Sequence, residues 1–152
     1  MSRGVIFSEA EAEFLKGQRV ARIATVDPSD GYPHIVPICY VFDGISFYTT
    51  SPRGSKRLRN IKHGSSVSVL IDKYEERIGE WLTLQGLLIK CEVALLDYHK
   101  NTELFMKGWR MLIEKYPQYR QWANEDLSPK NPDKRTITQM RPIRKTSWGF
   151  TP

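Results

Sequence analysis

The sequence has few residues that could form a disulfide or bind a metal: two cysteines and three histidines among 152 residues. Cys39 and Cys91 both lie in stretches that read as strands, so we expect free thiols rather than a disulfide. The histidines are scattered and form no ligand motif, which argues against a metal site. No apolar run reaches membrane-spanning length, and the N-terminus lacks the apolar core of a signal peptide. We therefore expect a cytoplasmic protein without a membrane partner.

Acidic residues are outnumbered, with 17 Asp and Glu against 23 Lys and Arg, which gives a net charge of +6. Such an excess favours an anionic partner. The aromatic residues do not interleave with the basic ones as a single-strand-binding surface requires, and there is no nucleic-acid recognition motif. A phosphorylated small molecule is therefore expected rather than nucleic acid. The length fits one domain, residues 1–152, with a sizeable core.

Alternation of apolar and polar residues predicts a mainly antiparallel sheet with three helices. The expected strands are 19–26, 34–42, 45–50, 66–74, 81–93, 136–140 and 144–150. A capping box, Ser8 with Glu11, opens the first helix, which should run to about Lys16. Pro37 cannot donate to a ladder, so its strand should have a free edge or a bulge there. The pattern fits a small β-barrel with helices at its rim.

Residues 45–61 read as a strand, a turn and the start of a helix that Gly64 could end. This stretch gathers four cations and four hydroxyl side chains around one helix N-terminus: Arg53, Lys56, Arg57, Arg59, Thr49, Thr50, Ser51 and Ser55. Free backbone N–H groups and the helix dipole favour an anion at such a place. We predict a phosphate site. Two alternatives remain open: Ser55 could merely cap the helix, and the cations could form an ordinary solvated face.

With these elements in place, the chain resembles the flavin-binding split-barrel superfamily, whose best-known member is pyridoxamine 5′-phosphate oxidase. The resemblance covers about Phe7 to Val93 and returns at Thr146–Phe150. No single segment is decisive, but their order and spacing together are fairly specific. The matching segments are residues 20–27 (VARIATVD), 31–38 (GYPHIVPI), 47–50 (FYTT), 55–61 (SKRLRNI) and 67–70 (VSVL).

The resemblance implies a split antiparallel β-barrel with peripheral helices and assigns roles to particular residues. The backbone of one strand would lie against the flavin ring, and we assign this role to His34, Ile35, Val36 and Pro37. A Tyr-Thr pair that matches Tyr48 and Thr49 would contact the cofactor, with Thr50 beside it. A Ser-Arg-Lys triplet that grips the phosphate matches Ser55, Lys56 and Arg57, with the order of the two charges exchanged.

Two tryptophans complete the predicted site. Trp81 could line the cofactor edge together with Gln85, although cross-strand packing would also explain it. Trp148 lies in a segment that, in relatives, approaches the cofactor across a dimer interface, although an ordinary core tryptophan is the competing interpretation. The resemblance thus implies a homodimer with two cofactor sites at its interface.

The chain departs from the oxidase in three respects. His34 stands where the oxidase has an arginine, a lysine near Cys39 is missing, and the substrate-binding arginine–histidine signature is not visible. FMN is the expected cofactor; the alternative is the deazaflavin coenzyme F-420, whose polyglutamate tail would suit Arg53 and Arg59. The predicted function is an oxidoreductase that transfers a hydride to or from an unknown small molecule, with catalytic residues unassigned. The alternative is a non-catalytic flavin-binding or sensing protein.

Overall fold

The structure is a computed structural model that describes residues 4–63, 66–76 and 84–150. Its α-helices are α1 (Glu9–Gly17), α2 (Lys56–His63) and α3 (Thr102–Lys115), and 3₁₀ helices span Pro117–Trp122 and Pro132–Lys134. Its strands are β1 (Ala21–Val26), β2 (Pro33–Ile38), β3 (Val41–Phe42), β4 (Phe47–Pro52), β5 (Ser66–Tyr74), β6 (Leu84–Leu96) and β7 (Arg135–Trp148). The predictions for Gly64 and Trp81 fall outside the described residues.

These strands form one antiparallel sheet in the order β2–β1–β5–β6–β7–β4–β3. β2 and β3 are the two edges, although only residues 39 and 40 separate them in the chain. Three Cα–Cα steps of about 3.8 Å each join Ile38 to Val41, so the sheet must curl until its edges nearly meet. Among the described strands no ladder joins β2 to β3, and the barrel stays split along this seam. The predicted split antiparallel barrel is confirmed.

The chain crosses the seam at Cys39 and Tyr40, and side chains satisfy the backbone groups that leave the sheet there. The Tyr116 hydroxyl accepts from the Tyr40 N–H at 3.2 Å and donates to the Arg19 carbonyl at 2.7 Å. The Thr49 hydroxyl donates to the Cys39 carbonyl at 2.7 Å. Because unpaired buried backbone groups are costly, these bonds help to hold the crossing in place.

Two apolar clusters stabilise the sheet from opposite sides. The first fills the barrel and includes Ile23, Phe47, Leu58 and Leu87, among other side chains that are almost fully buried. The second packs α3 against the outside of β4 and β7, through Tyr48, Phe105, Trp109, Leu112 and Ile137. β4 is buried on both faces because it separates the two clusters.

The N-terminal helix follows its sequence signal closely. The Ser8 hydroxyl accepts from the Glu11 N–H at 3.1 Å, and the Glu11 carboxylate accepts from the Ser8 N–H at 2.8 Å. The predicted capping box is therefore confirmed, and the helix ends at Gly17 as expected. Glu11 also pairs with Lys145 of β7, which ties α1 to the sheet.

Two strand predictions are wrong for reasons of topology. The single strand expected over 34–42 is broken at Cys39, because the chain crosses to the opposite edge of the sheet. The prediction from Pro37 is confirmed, since β2 is an edge strand. The two strands expected over 136–150 are one strand, β7. Lys90 pairs with Arg144 and Cys91 with Pro142, so Ile143 is the extra residue of a bulge that accommodates the proline.

Lys115, in the last turn of α3, places its ammonium in a buried position. Among the described residues the group has no hydrogen-bond partner, and it lies 4.0 Å from the Tyr40 ring centroid and 5.5 Å from that of Tyr116. Burial lowers the pKa of Lys115 to about 8, and the charge of Arg19 acts in the same direction. The charged lysine is therefore less favourable in the native state than in the unfolded chain.

We expect Lys115→Met to raise the free energy of unfolding at pH 7 by about 1 kcal/mol, because the loss of a buried charge outweighs the loss of its cation–π contacts. The folded-state pKa lies below the unfolded value, so the cost in the wild type is full below pH 8 and falls between about pH 8 and 10.5. The gain should therefore shrink at pH 10. Urea unfolding at both pH values measures it, with the exposed Lys100→Met as the control. A variant less stable than the wild type at pH 7 would contradict this account.

Candidate functional site

A turn between β4 and α2 places the Ser55 side chain at the start of the helix. The Ser55 N–H donates to the Pro52 carbonyl at 3.1 Å, and the Ser55 carbonyl accepts from the Arg59 N–H at 3.2 Å. The Ser55 hydroxyl is buried and has no hydrogen-bond partner among the described residues. The alternative that Ser55 caps α2 through its side chain is therefore wrong. A buried hydroxyl without a partner is costly, and a phosphate oxygen at this helix start would satisfy it.

Arg57 extends from the first turn of α2 to the end of β4. Its Nε donates to the Ser51 hydroxyl and its Nη2 donates to the Thr50 carbonyl, both at 2.9 Å. Burial lowers the pKa of the Arg57 guanidinium, and the nearby charge of Arg135 acts in the same direction. Both hydrogen-bond acceptors are neutral, so the positive charge stays available to an anion.

Lys56 points the other way around α2, toward the turn between β1 and β2. Its ammonium lies 2.9 Å from the Asp27 carboxylate. Hydrogen bonds from Ser29, together with that from Lys56, hold the pKa of Asp27 well below its usual range. Asn60 strengthens the same side of the helix by donating to the Thr25 hydroxyl at 3.0 Å. Lys56 therefore reaches a ligand only by sharing its charge with Asp27 or by exchanging partners.

The two other cations of the basic stretch contact parts of the protein as well. Arg53 pairs with Asp97, at the end of β6. Arg59 donates to the Gly54 carbonyl at 2.6 Å, which braces the turn that precedes α2. These contacts are made at the surface, where an ion pair contributes little to stability.

The predicted contacts on β4 lie on different sides of the strand. Tyr48 packs under α3, and its hydroxyl donates to the Asp43 carboxylate at 3.3 Å and accepts from the Gln139 amide at 3.2 Å. Burial raises the pKa of Tyr48. Thr49 contacts the seam crossing as described above, while the Thr50 hydroxyl donates to the Thr136 carbonyl at 3.4 Å. Within this chain, Tyr48 is thus engaged away from Ser55.

β2 presents the four predicted ring-contacting residues along the free edge of the sheet. His34 and Val36 are half-buried, whereas Ile35 and Pro37 are exposed. The Nδ1 atom of His34 is buried and has no partner within the described part of the chain. Among the described strands β2 pairs with β1 alone, so backbone groups along its other edge are left without a strand partner and could meet a ligand in the seam.

Trp148 lies at the far end of the sheet from Ser55. It pairs with Gly86 at the start of β6, whereas Pro52, beside Ser55, pairs with Arg135 at the start of β7. Arg135 and Trp148 are the two ends of β7, so the whole strand, roughly 40 Å along its length, separates these places. The indole Nε1 of Trp148 is buried without a partner in the described residues. One chain therefore does not bring Trp148 to Ser55. Trp81 lies outside the described residues.

Sequence reasoning missed two residues that lie around Arg57. Ser51, one of the hydroxyl residues noted in the sequence, is its hydrogen-bond partner, and Tyr119 and Arg135 are close enough to influence its charge. Arg135 is half-buried, and its guanidinium lies 4.3 Å from the Trp122 ring centroid. Only the pairing of β4 with β7 brings Arg135 near α2, and no local signal in the sequence marks it.

The curled sheet is a split β-barrel, and the basic turn lies between its strand β4 and α2. A family model described as pyridoxamine 5′-phosphate oxidase matches residues 7–148. The chain belongs to this family, which confirms the resemblance found in the sequence. A search of curated protein sequences gives no significant match.

Solved structures share the fold along most of the chain. A conserved hypothetical protein from Mycobacterium tuberculosis is 23% identical with a TM-score of 0.72, and the match covers 95% of this chain and 86% of that one. A FAD-binding protein from Mesorhizobium loti is 19% identical with a TM-score of 0.67, covering 93% and 94%. An F-420 reductase is 20% identical with a TM-score of 0.65, covering 92% and 98%. At these identities the likeness establishes the fold.

The packing of Trp148 gives a direct test of its position. A Cβ added to Gly86 would lie 2.9 Å from the Trp148 ring and 3.0 Å from the Ile71 carbonyl oxygen. We expect Gly86→Ala to lower the free energy of unfolding by about 1–3 kcal/mol, because the ring or the strand must move. Gly54→Ala is the matched control, since a Cβ there meets nothing within 4 Å. Equal unfolding midpoints for the two variants would place Trp148 elsewhere.

Proposed function

We propose that this protein is an oxidoreductase that binds FMN, or alternatively the deazaflavin coenzyme F-420, by its phosphate at the start of α2. The observation that carries the proposal is the buried Ser55 hydroxyl, which lacks a partner among the described residues. It belongs to the residue two positions before Arg57, whose guanidinium is held by neutral acceptors. Membership in the pyridoxamine 5′-phosphate oxidase family supports the same cofactor class.

Different residues of the chain would bind the phosphate and the ring of the cofactor. Ser55 and Arg57 would hold the phosphate, with Lys56 contributing when it releases Asp27. Arginine suits the phosphate because its guanidinium offers two parallel donors, whereas lysine acts as a point charge. The free edge of β2, from His34 to Pro37, would orient the ring. When bound, the cofactor supplies the hydride chemistry, and the protein supplies position and electrostatics.

Either cofactor fits what the described residues offer. The phosphate contacts would be the same for both, while the F-420 tail adds negative charge. Arg53 and Arg59 lie at the surface beside the proposed phosphate site, although both already have internal partners. The F-420 reductase and the FAD-binding protein with the same fold support a flavin-like cofactor and leave the choice between the two to experiment.

We further infer that the protein is a cytoplasmic homodimer and that Trp148 of one chain completes the site of the other. Its indole N–H, which finds no partner in the described part of the chain, and its distance from Ser55 both support this arrangement. The outer face of the sheet offers a surface for the partner, with Val26, Ile35 and Ile143 exposed by 60%, 62% and 45%. Val26 and Ile143 border a hollow of about 340 Å³ between β1, β5 and β7. Within the described residues no helix is long and apolar enough to cross a membrane.

A non-catalytic flavin-binding protein is the second candidate. The same-fold protein from Mesorhizobium loti is described by its FAD binding alone, and no described side chain of this chain is identifiable as a general acid or base. A protein of this kind would have the same phosphate site but would catalyse no reaction. Steady-state reduction of an electron acceptor by the loaded protein would decide for the oxidoreductase.

Cofactor titration tests the site. We expect FMN or F-420 to bind cofactor-free protein at micromolar or tighter affinity, followed by fluorescence, and to raise its unfolding temperature. Ser55→Ala and Arg57→Ala should each weaken binding about tenfold, because each removes a hydrogen bond to a charged group. Lys62→Ala, an exposed cation on the same helix, should change it less than about twofold.

Two outcomes would count against this proposal at different levels. If a cofactor binds and the Ser55 and Arg57 variants match the parent, the phosphate lies elsewhere and the site assignment fails. If neither cofactor binds the folded parent protein, the proposal that the protein is an oxidoreductase of this class is refuted.

Sedimentation tests the dimer. We expect Ile143→Glu to convert the dimer to monomer at micromolar concentration, because it buries a charge in an apolar interface. Ile45→Glu is the matched control: Ile45 is 77% exposed but lies in the hairpin between β3 and β4. A parent chain that sediments as a monomer, or an equal effect of both substitutions, would refute this interface.

A further inference from the structure

A second cavity lies on the side of the molecule that faces α3, between the start of β7 and the segment of 3₁₀ helices. It measures about 300 Å³, which is at the small end of ligand sites. It is lined by Pro52, Trp109, Trp122, Pro129, Asn131, Lys134 and Arg135. The Arg53 N–H donates to the Lys134 carbonyl at 3.1 Å, so this wall is fixed to the end of β4.

The cavity is bordered by two cations, Lys134 and Arg135, for which the described residues provide no counter-ion. Neither Lys134 nor Arg135 forms an ion pair with any carboxylate in the described ranges, whereas Arg22, Arg53, Lys56, Lys107 and Lys145 all do. Arg135 is half-buried, and burial lowers the pKa of its guanidinium. Partly buried positive charge that lacks a carboxylate is stabilised by an anion from outside.

The remaining walls are flat and apolar. Trp122 lies under the Arg135 guanidinium, with 4.3 Å between the guanidinium carbon and the ring centroid. Trp109 supports this wall from beneath: it is fully buried, and its indole N–H donates to the Leu127 carbonyl at 2.8 Å, so it leaves no free polar group toward the cavity. Pro52 and Pro129 add apolar contact without N–H donors.

We propose that this cavity binds a small planar aromatic anion, whose carboxylate or phosphate pairs with Arg135 and Lys134 and whose ring packs against Trp122. Flat apolar walls select the ring, and cations at the rim select the charge. The proposal concerns a site separate from Ser55 and does not require a flavin-like cofactor. Its ligand is a candidate substrate or effector of whatever reaction the chain performs.

Calorimetric titration of the full chain with phenyl phosphate and benzoate tests this site. Both anions should bind, and benzamide, a neutral analogue of benzoate, should bind at least tenfold more weakly. Arg135→Gln should weaken binding of both anions about tenfold or more, because it removes a charge-assisted hydrogen bond. Lys130→Gln is the matched control: Lys130 lies in the same segment, is exposed and does not line the cavity. Its affinity should stay within about twofold of the parent.

Further variants separate this site from the one at α2 and guard against misfolding. Lys134→Gln removes an exposed rim charge and should weaken binding even if Arg135→Gln fails to fold. Ser55→Ala, which alters the proposed phosphate site, should leave benzoate binding unchanged. The proposal is overturned if benzamide binds as well as benzoate, if the folded Arg135 and Lys134 variants both bind like the parent, or if Ser55→Ala abolishes the binding of benzoate.

Discussion

The crossing at Cys39 and Tyr40 is the constraint on which the other features depend. Two residues connect the strands at opposite edges of a seven-stranded sheet, so the sheet must curl. Curling creates the interior that Ile23, Phe47 and Leu87 fill, and it leaves a seam where backbone groups are unpaired. The hydroxyls of Thr49 and Tyr116 form hydrogen bonds with some of these backbone groups. The free edge of β2 then remains as the exposed part of the seam.

The same geometry decides where charge accumulates. α2 covers one end of the barrel, tied to β1 through Asn60 and to β4 through Arg57. The cations on and around α2 are therefore divided: Lys56 and Arg53 pair with carboxylates, whereas Arg57 and Arg135 pair with none among the described residues. An anion gains most where positive charge is both partly dehydrated and unpaired. This division, more than the net charge of the chain, singles out the surroundings of Ser55 and Arg135.

Local signals in the sequence were sufficient for the elements and insufficient for their arrangement. The capping box at Ser8 and the edge expected from Pro37 depend on neighbouring residues, and both agree with the structure. The break at Cys39 depends on where β3 finds a partner, which alternation of apolar residues does not encode. Similarly, Pro142 lies between the two strands predicted from the sequence, but a bulge lets β7 continue through it.

The residues of the candidate site also divide into those marked by local sequence signals and those brought together by strand pairing. The basic turn is local and was predicted, together with the anion it would hold. The family resemblance added β2, which lies distant in sequence and close in space. Arg135 belongs to neither group, because pairing of Pro52 with Arg135 alone brings it to the turn. The sequence also could not show that the Ser55 side chain leaves α2 uncapped. A serine at a helix start can bond either to a backbone N–H of the helix or to an anion.

Tyr116 shows what the seam means for the time course of folding. Its hydroxyl joins residues 19, 40 and 116, which are contacts of very large sequence separation. Such contacts form only after most of the loop-closure entropy has been lost, which places closure of the barrel late and makes folding slow for the size of the chain. A ligand that spans the seam would act mainly on the reverse step, since it must leave before the edges part. Occupancy would then lengthen the lifetime of the native state more than it speeds its formation.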